Sequence, residues 1–196
     1  MENFLAPDRR DTPDFTLRHY NPGDGRLLAK SIRESAQHMA PFMAWATPAY
    51  SDMDGELFVR RSCSRYITGE DFGFGIYSPD GKRQLGGTGL HPRDTHLTPA
   101  CAEIGMWIHV DHAGKGLGTK VLSALLAWGF TDWPWQRLLW RCDELNIASA
   151  RTAEKAGMQR EGVQRGLFFK PDGSLRDAYV YSMLRPEWES RNHQQG

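Results

Sequence analysis

Apolar and polar positions along this chain switch between a period of two and a period near 3.6, and the switches divide it into strands and helices. "DFTLRHY" (14–20) alternates as a first strand, and "NPGDG" breaks it. Leu27, Leu28, Ile32, Ala36 and Met39 then fall at helical spacing; Asp24 stands where a helix cap would, and Pro41 interrupts the run. "FGFGIYSPDGKRQLGGTGLHP" reads as two strands joined by a turn at Pro79, Asp80 and Gly81. After the loop "THLTPA", the segment 101–110 alternates again. It sets Ile104, Met106, Ile108 and Val110 on one face and Glu103, Gly105, Trp107 and His109 on the other. Val121, Leu122, Leu125, Leu126 and Phe130 form the stripe of a further helix, and "RLLWRC" is a strand. "NIASARTAEKAGM" is a short helix ending at Gly157, and "VQRGLFFKPDGSLRDAYVYSML" is a hairpin around Pro171, Asp172 and Gly173, followed by a frayed tail, "ESRNHQQG". This order predicts a mixed α/β domain on one central sheet.

Charge changes that picture only by exclusion. Lys and Arg number 24 against 24 Asp and Glu, so the balance argues for neither nucleic acid nor an anionic membrane as partner. The densest basic group, Arg60, Arg61 and Arg65, reads as a solvated face. Cys63, Cys101 and Cys142 are odd in number and far apart, which fits ordinary thiols in a reducing compartment and neither a disulfide framework nor a zinc knuckle. His91, His96, His109 and His112 have no metal-ligand spacing. The opening residues hold acids and prolines where a signal peptide needs an apolar core, and no apolar run reaches spanning length; the expected location is the cytoplasm.

The densest chemistry lies in "VDHAGKGLGTK" (110–120), a glycine-rich turn between a strand and a helix. The first N–H groups of a helix have no intrachain partner, the helix dipole favours an anion there, and glycine permits close approach of a phosphate. Gly114, Lys115, Gly116, Leu117, Gly118 and Thr119 would offer those groups. A Walker loop does not fit, because "GKGLGTK" lacks four residues between its first glycine and Gly-Lys-Ser/Thr. A dinucleotide fingerprint fails on the spacing of Gly114, Gly116 and Gly118 and on its place late in the chain. The plain alternative is a turn that merely starts a helix.

"GKGLGT" after an apolar strand, with "NIASARTAEKAGM" some way downstream, resembles the acetyl-CoA site of the GCN5-related N-acetyltransferases (GNAT), in particular the RimJ/RimL type. "FTLRHYNPGDG", Ser35, Trp45, "AEIGMWI", "REGVQRG" and "LRDAYVYSML" extend the similarity over residues 14–185, leaving 1–13 as an N-terminal extension and 186–196 as a C-terminal tail. The resemblance implies a single mixed, mostly antiparallel sheet flanked by helices, whose central strands splay to hold acyl-CoA. In the family signature Gln/Arg-x-x-Gly-x-Gly/Ala, Gly116 and Gly118 match the small positions while Ala113 replaces the long polar side chain.

The resemblance further implies that the pantetheine arm lies along Trp107, Ile108 and Val110, chiefly through backbone groups, that N–H groups of this strand face the thioester carbonyl, and that an amine attacks directly. Asn146 and Ser149 match the "N-x-x-S" beside the arm: Asn146 to orient it or the amine, Ser149 as a proton donor to the sulfur. Both would equally suit a helix start. Lys115, Arg151 and Lys155 are candidates for phosphate contact, with solvated side chains as the alternative for each. Phe168 stands near the place where some relatives carry a glutamate base. Glu103 is the substitute base, with a strand ion pair as its alternative, and Tyr181 and Asp177 lie on the last strand. The acceptor pocket would draw on residues 38–45, "LHP" and the last hairpin, with Phe42, Met43, Trp45, Phe168 and Phe169. The expectation is therefore an N-acyltransferase using acetyl-CoA as co-substrate, without metal, on a protein N-terminus or small amine; the sequence does not fix the oligomeric state, for which a homodimer is the general prior among soluble enzymes. Its rivals are a CoA-binding sensor or scaffold and an enzyme for a larger donor such as succinyl-CoA.

Overall fold

The computed structural model describes residues 4–92, 100–169 and 173–193. His96, Pro171, Asp172 and all of the "THLTPA" loop but its last residue lie outside them. Eight strands stand in the order β1-β2-β3-β4-β5-β6-β8-β7. The chain forms two compact units, Glu2–His91 with Met106–Lys115, and Pro92–Gly105 with the chain from Gly116 onward.

The first unit contains β1 (Arg9–Asp11), β2 (Thr16–His19), α1 (Gly25–Met39), α2 (Asp52–Ile67), β3 (Phe72–Tyr77), β4 (Gln84–Pro92) and the end of β5 (Cys101–Ile108). β1 to β4 pair antiparallel, with Arg10 opposite Leu17, Leu17 opposite Ile76, and Ile76 opposite Gly86. Leu28, Ile32 and Met39 of α1 bury their side chains with Tyr20, Ala46 and Val59, and Met43, Tyr50 and Trp107 pack at the edge of this cluster. The two helices cross backbone to backbone. A β-carbon on Gly55 would fall inside contact distance of the Gly25 carbonyl, and one on Gly25 would strike the backbone of Glu56.

Asp24 occupies the N-cap position of α1 but makes no cap bond. Its backbone is already helical, and its carboxylate accepts from Arg18 at 2.6 and 2.9 Å and from the Asn21 N–H at 2.8 Å. The cap comes from α2 instead: the Glu56 carboxylate accepts the N–H groups of Gly23 and Gly25 at 3.0–3.3 Å. α2 itself went unread in the sequence because it buries only Gly55 and Val59, too little for a stripe. Its start carries a local signal nonetheless, a capping box in which Ser51 and Asp54 satisfy each other's N–H groups.

The second unit holds the start of β5, α3 (Leu117–Thr131), β6 (Arg137–Asp143), α4 (Ile147–Lys155), β7 (Gln159–Phe169), β8 (Leu175–Leu184) and α5 (Arg185–His193). β5 and β6 pair parallel from Cys101 opposite Arg137 to Glu103 opposite Leu139, where the register ends although β6 continues to Asp143. β6 and β7 each pair antiparallel with β8. Gly157, at φ +83°, ends α4 as its position implies. The expected fraying of the tail is corrected as far as His193, because α5 runs through it. Polar composition disguised three anchors: Glu187 accepts the Leu184 N–H at 2.9 Å, Trp188 packs on Phe130 at 5.9 Å between ring centres, and Arg191 donates to the Gly157 carbonyl.

Candidate functional site

β5 stops two residues short of the predicted end, because Val110–His112 winds into one tight turn in which the His112 N–H donates to the His109 carbonyl at 2.9 Å. Ala113 closes the turn by donating to the carbonyls of His109 and Val110. Gly114 and Gly116 follow at φ +70° and +84°, left-handed conformations that favour glycine, and a β-carbon on either would meet nothing within 4 Å. α3 begins at Leu117, and the first N–H in the run to find a carbonyl is that of Lys120, on Gly116 at 3.1 Å. The consecutive N–H groups from Gly114 to Thr119 make no hydrogen bond among the described residues. Unbonded donors at the positive end of a helix are an arrangement suited to an anion. Lys115 is exposed, and its ammonium donates to the Asp111 carbonyl at 2.7 Å.

Upstream, bare glycines on β4 make room for Trp107: its indole Nε1 lies 2.5 Å from where a β-carbon on Gly87 would be, and its carbonyl lies against Gly86. Ile108 is half-buried beside it, and Val110 is exposed. The Val110 N–H is already taken, donating to Ser35 Oγ at 3.1 Å. His109 is buried, with Nε2 3.1 Å from Glu34 Oε2. Burial lowers the His112 pKa, and the neighbouring His109 and Arg83 lower it further. Phe42 and Trp45 are exposed on the segment after α1, as is His38 near its end, whereas Met43 joins the core cluster.

In the second unit Asn146 is the N-cap of α4, its Oδ1 accepting the Ser149 N–H at 3.1 Å. The Ser149 hydroxyl accepts from Trp140 Nε1 at 3.1 Å and bonds to Cys142, whose thiol pKa is raised by burial. Tyr181, buried opposite Trp140, donates to Glu154 at 3.0 Å; burial and that carboxylate push its pKa up to about 12. Glu103 is gripped by Arg141 in a two-pronged ion pair, one bond being 3.0 Å from Nε. Asp177 accepts the Gly166 N–H at 2.9 Å and so shapes the bulge in β7 that precedes Phe168. Arg151 and Lys155 are exposed on α4, and Phe169 is exposed at the end of β7. Asn146 and Ser149 thus share one network with Trp140 and Cys142, Tyr181 stands opposite Trp140 but bonds to Glu154, and Glu103 belongs to a separate ion pair. Cys142, Glu154, Glu34 and the bonding role of Ser35 escaped the sequence reading, since each acts through a partner distant in the chain.

Among the described residues no group of three or more His, Cys, Asp or Glu is placed to hold a metal, and no helix is long and apolar enough to cross a membrane. The profile of the acetyltransferase (GNAT) domain matches residues 14–159. YnaD of Bacillus subtilis (strain 168), an uncharacterized N-acetyltransferase, is 36% identical over 90 residues, 44% of this chain and 50% of YnaD, so that alignment spans half the relative's length. The "Putative ribosomal N-acetyltransferase YdaF" of the same organism is 29% identical over 178 residues, 89% of this chain and 93% of YdaF. RimL, a ribosomal-protein alpha-N-acetyltransferase solved in complex with coenzyme A, superposes with a TM-score of 0.79 at 17% identity, covering 88% of this chain and 95% of RimL, a likeness of fold. With a domain profile matched from just before β2 to the start of β7, this chain belongs to the GNAT acetyltransferase family.

Proposed function

We propose that this protein transfers an acetyl group from acetyl-CoA directly to a primary amine, either a protein N-terminus or a small amine. The observation that carries this is the run of unbonded N–H groups from Gly114 to Thr119, opened by two left-handed glycines, in a chain whose family uses an acyl-CoA. A diphosphate would take those donors without displacing any existing bond. RimL, whose fold the chain shares, binds coenzyme A, and YdaF bears the name of a ribosomal acetyltransferase. Both favour a protein N-terminus as acceptor. An α-amine also needs less deprotonation than a lysine, its pKa being about 8 against about 10.4.

In this scheme the backbone of Trp107 and Ile108 pairs with the pantetheine arm and supports the charge on the thioester oxygen during attack. Val110 contributes its apolar side chain, since its N–H is held by Ser35. Asn146 has its carbonyl oxygen committed to the cap, which leaves its amide NH2 to hold the arm or the amine. Ser149 protonates the departing thiolate with the hydroxyl hydrogen it otherwise gives to Cys142 and regains a proton from water; Tyr181 stands opposite Trp140, held by Glu154. Glu103 receives the proton of the amine through water, from its place in the ion pair with Arg141. Lys115 and Arg151 add charge near the phosphates.

Thermal unfolding with acetyl-CoA, succinyl-CoA, free CoA and ATP in parallel tests the donor. A ligand at a hundred times its dissociation constant adds about 2.7 kcal/mol. Stabilisation by acetyl-CoA without stabilisation by ATP is expected, followed by turnover on a panel of N-terminal peptides and small amines. No response to any thioester refutes the proposal; binding without turnover on any amine favours a sensor.

A further inference from the structure

α1 presents two adjacent side chains to the two adjacent residues at which β5 turns into the glycine loop. Ser35, fully buried, accepts the Val110 N–H at 3.1 Å, and Glu34 meets the His109 ring at 3.1 Å. The tautomer of His109 follows from its other neighbour. Nδ1 accepts the Asp111 N–H at 3.2 Å, so the hydrogen sits on Nε2 and is donated to Glu34. The His109 N–H in turn donates to the Leu85 carbonyl at 2.8 Å. A serine inside a helix ordinarily turns its hydroxyl back to its own helix. Ser35 instead spends its acceptor on a backbone N–H of another segment, where tight-turn geometry supplies no carbonyl for it.

The contrast along the loop is sharp: the donors of His109, Val110, Asp111, His112 and Ala113 are all bonded, and those from Gly114 to Thr119 find no partner among the described residues. We propose that Glu34 and Ser35 are positioning residues that clamp the entry of the glycine loop to α1 and thereby fix where its free N–H groups point. The ligand they serve is the diphosphate of an acyl-CoA, and the inference rests on the function proposed above.

Glu34 is the better test position because it is exposed, so its removal spares the core. Calorimetric titration of the full-length protein with free CoA is the experiment, with unfolding by urea in parallel. Loss of one clamp bond in Glu34→Ala is expected to weaken CoA binding about fivefold, equivalent to about 1 kcal/mol, with a loss of stability smaller than the loss of binding. Glu34→Gln, whose amide oxygen still accepts from Nε2, is expected to return within about twofold of the parent. Ser35→Ala should weaken CoA binding by a similar factor. Together with Glu34→Ala it should cost less than the product of the two, because both bonds hold one turn. Unchanged affinity in Glu34→Ala, failure of Glu34→Gln to restore it, or a loss matched by an equal loss of stability overturns the clamp. Failure of the parent protein itself to bind CoA overturns the underlying function instead.

Discussion

Replacing Gly116 with alanine separates two tasks that a glycine at a helix start performs: adopting a left-handed backbone and leaving space. At φ +84° an added β-carbon costs about 1–2 kcal/mol, offset by about 0.4–1 kcal/mol from the stiffer unfolded chain. No atom lies within 4 Å of that carbon, so no packing cost is added. Gly116→Ala should therefore lose only about 1 kcal/mol, a fall of about 2–4 °C in Tm for a chain of this size. The methyl group would nonetheless occupy the space through which a phosphate reaches the N–H groups. Loss of two charge-assisted bonds at about 1.5 kcal/mol each weakens CoA about a hundredfold. Gly129→Ala supplies the control: its β-carbon would press on Leu138 at 2.8 Å inside α3, so stability should change while CoA affinity should not. Urea unfolding and CoA titration of both variants decide the matter. A Gly116→Ala protein that binds CoA as tightly as the parent would refute the assignment of the loop.

Gly55→Ala is expected to reverse the usual sign of a helical Gly-to-Ala change. The helix gains about 1 kcal/mol in propensity, but the methyl group collides with the Gly25 carbonyl, and overpacking against backbone costs about 2–3 kcal/mol; a higher urea midpoint would contradict this. Arg185 donates to the carbonyls of Phe130, Trp133 and Trp135, so Arg185→Met should cost about 3 kcal/mol, measured by urea unfolding, and a cost below about 1 kcal/mol would show the carbonyls well solvated. For Asp24, burial raises the carboxyl pKa, but bonds from Arg18 and the Asn21 N–H outweigh it and leave the pKa below its ordinary value. Its contribution is therefore present above the unfolded pKa of about 3.9 and is lost as pH falls through the folded value. Asp24→Asn should flatten the acid limb of stability against pH, and an unchanged slope would exclude Asp24 as a source of it.

What could be read in the sequence was what local order dictates. The stripe from Val121 to Phe130 and the stop at Gly157 follow from neighbours within a few residues and took their expected places, whereas the alternation of β5 held only as far as Ile108: beyond it His109 is buried and Val110 exposed, because the chain turns there. α2 was missed because its apolar residues include Met53, Leu57, Phe58 and Ile67, all exposed, so periodicity had no buried face to report. Asp24 was rightly located but wrongly bonded, since its choice of Arg18 over the helix N–H groups depends on a strand packed beside it. In the candidate site the glycine loop was legible because conformation and composition coincide there. The companions of Ser149 and Tyr181 were not, because Cys142 and Glu154 meet them through the pairing of β6 with β8 and the seat of α4.

The contact of Gly25 with Gly55 makes α1 a lever with a fixed fulcrum. Its N-terminal end is bonded to Glu56 and cannot slide without breaking the cap, and ten residues onward, about 15 Å along the helix, it carries Ser35. A small tilt at the crossing is delivered to the Val110 N–H as a shift in its partner. Selection for altered coenzyme affinity should thus return substitutions at the glycine crossing, where nothing touches the ligand, as well as in the loop.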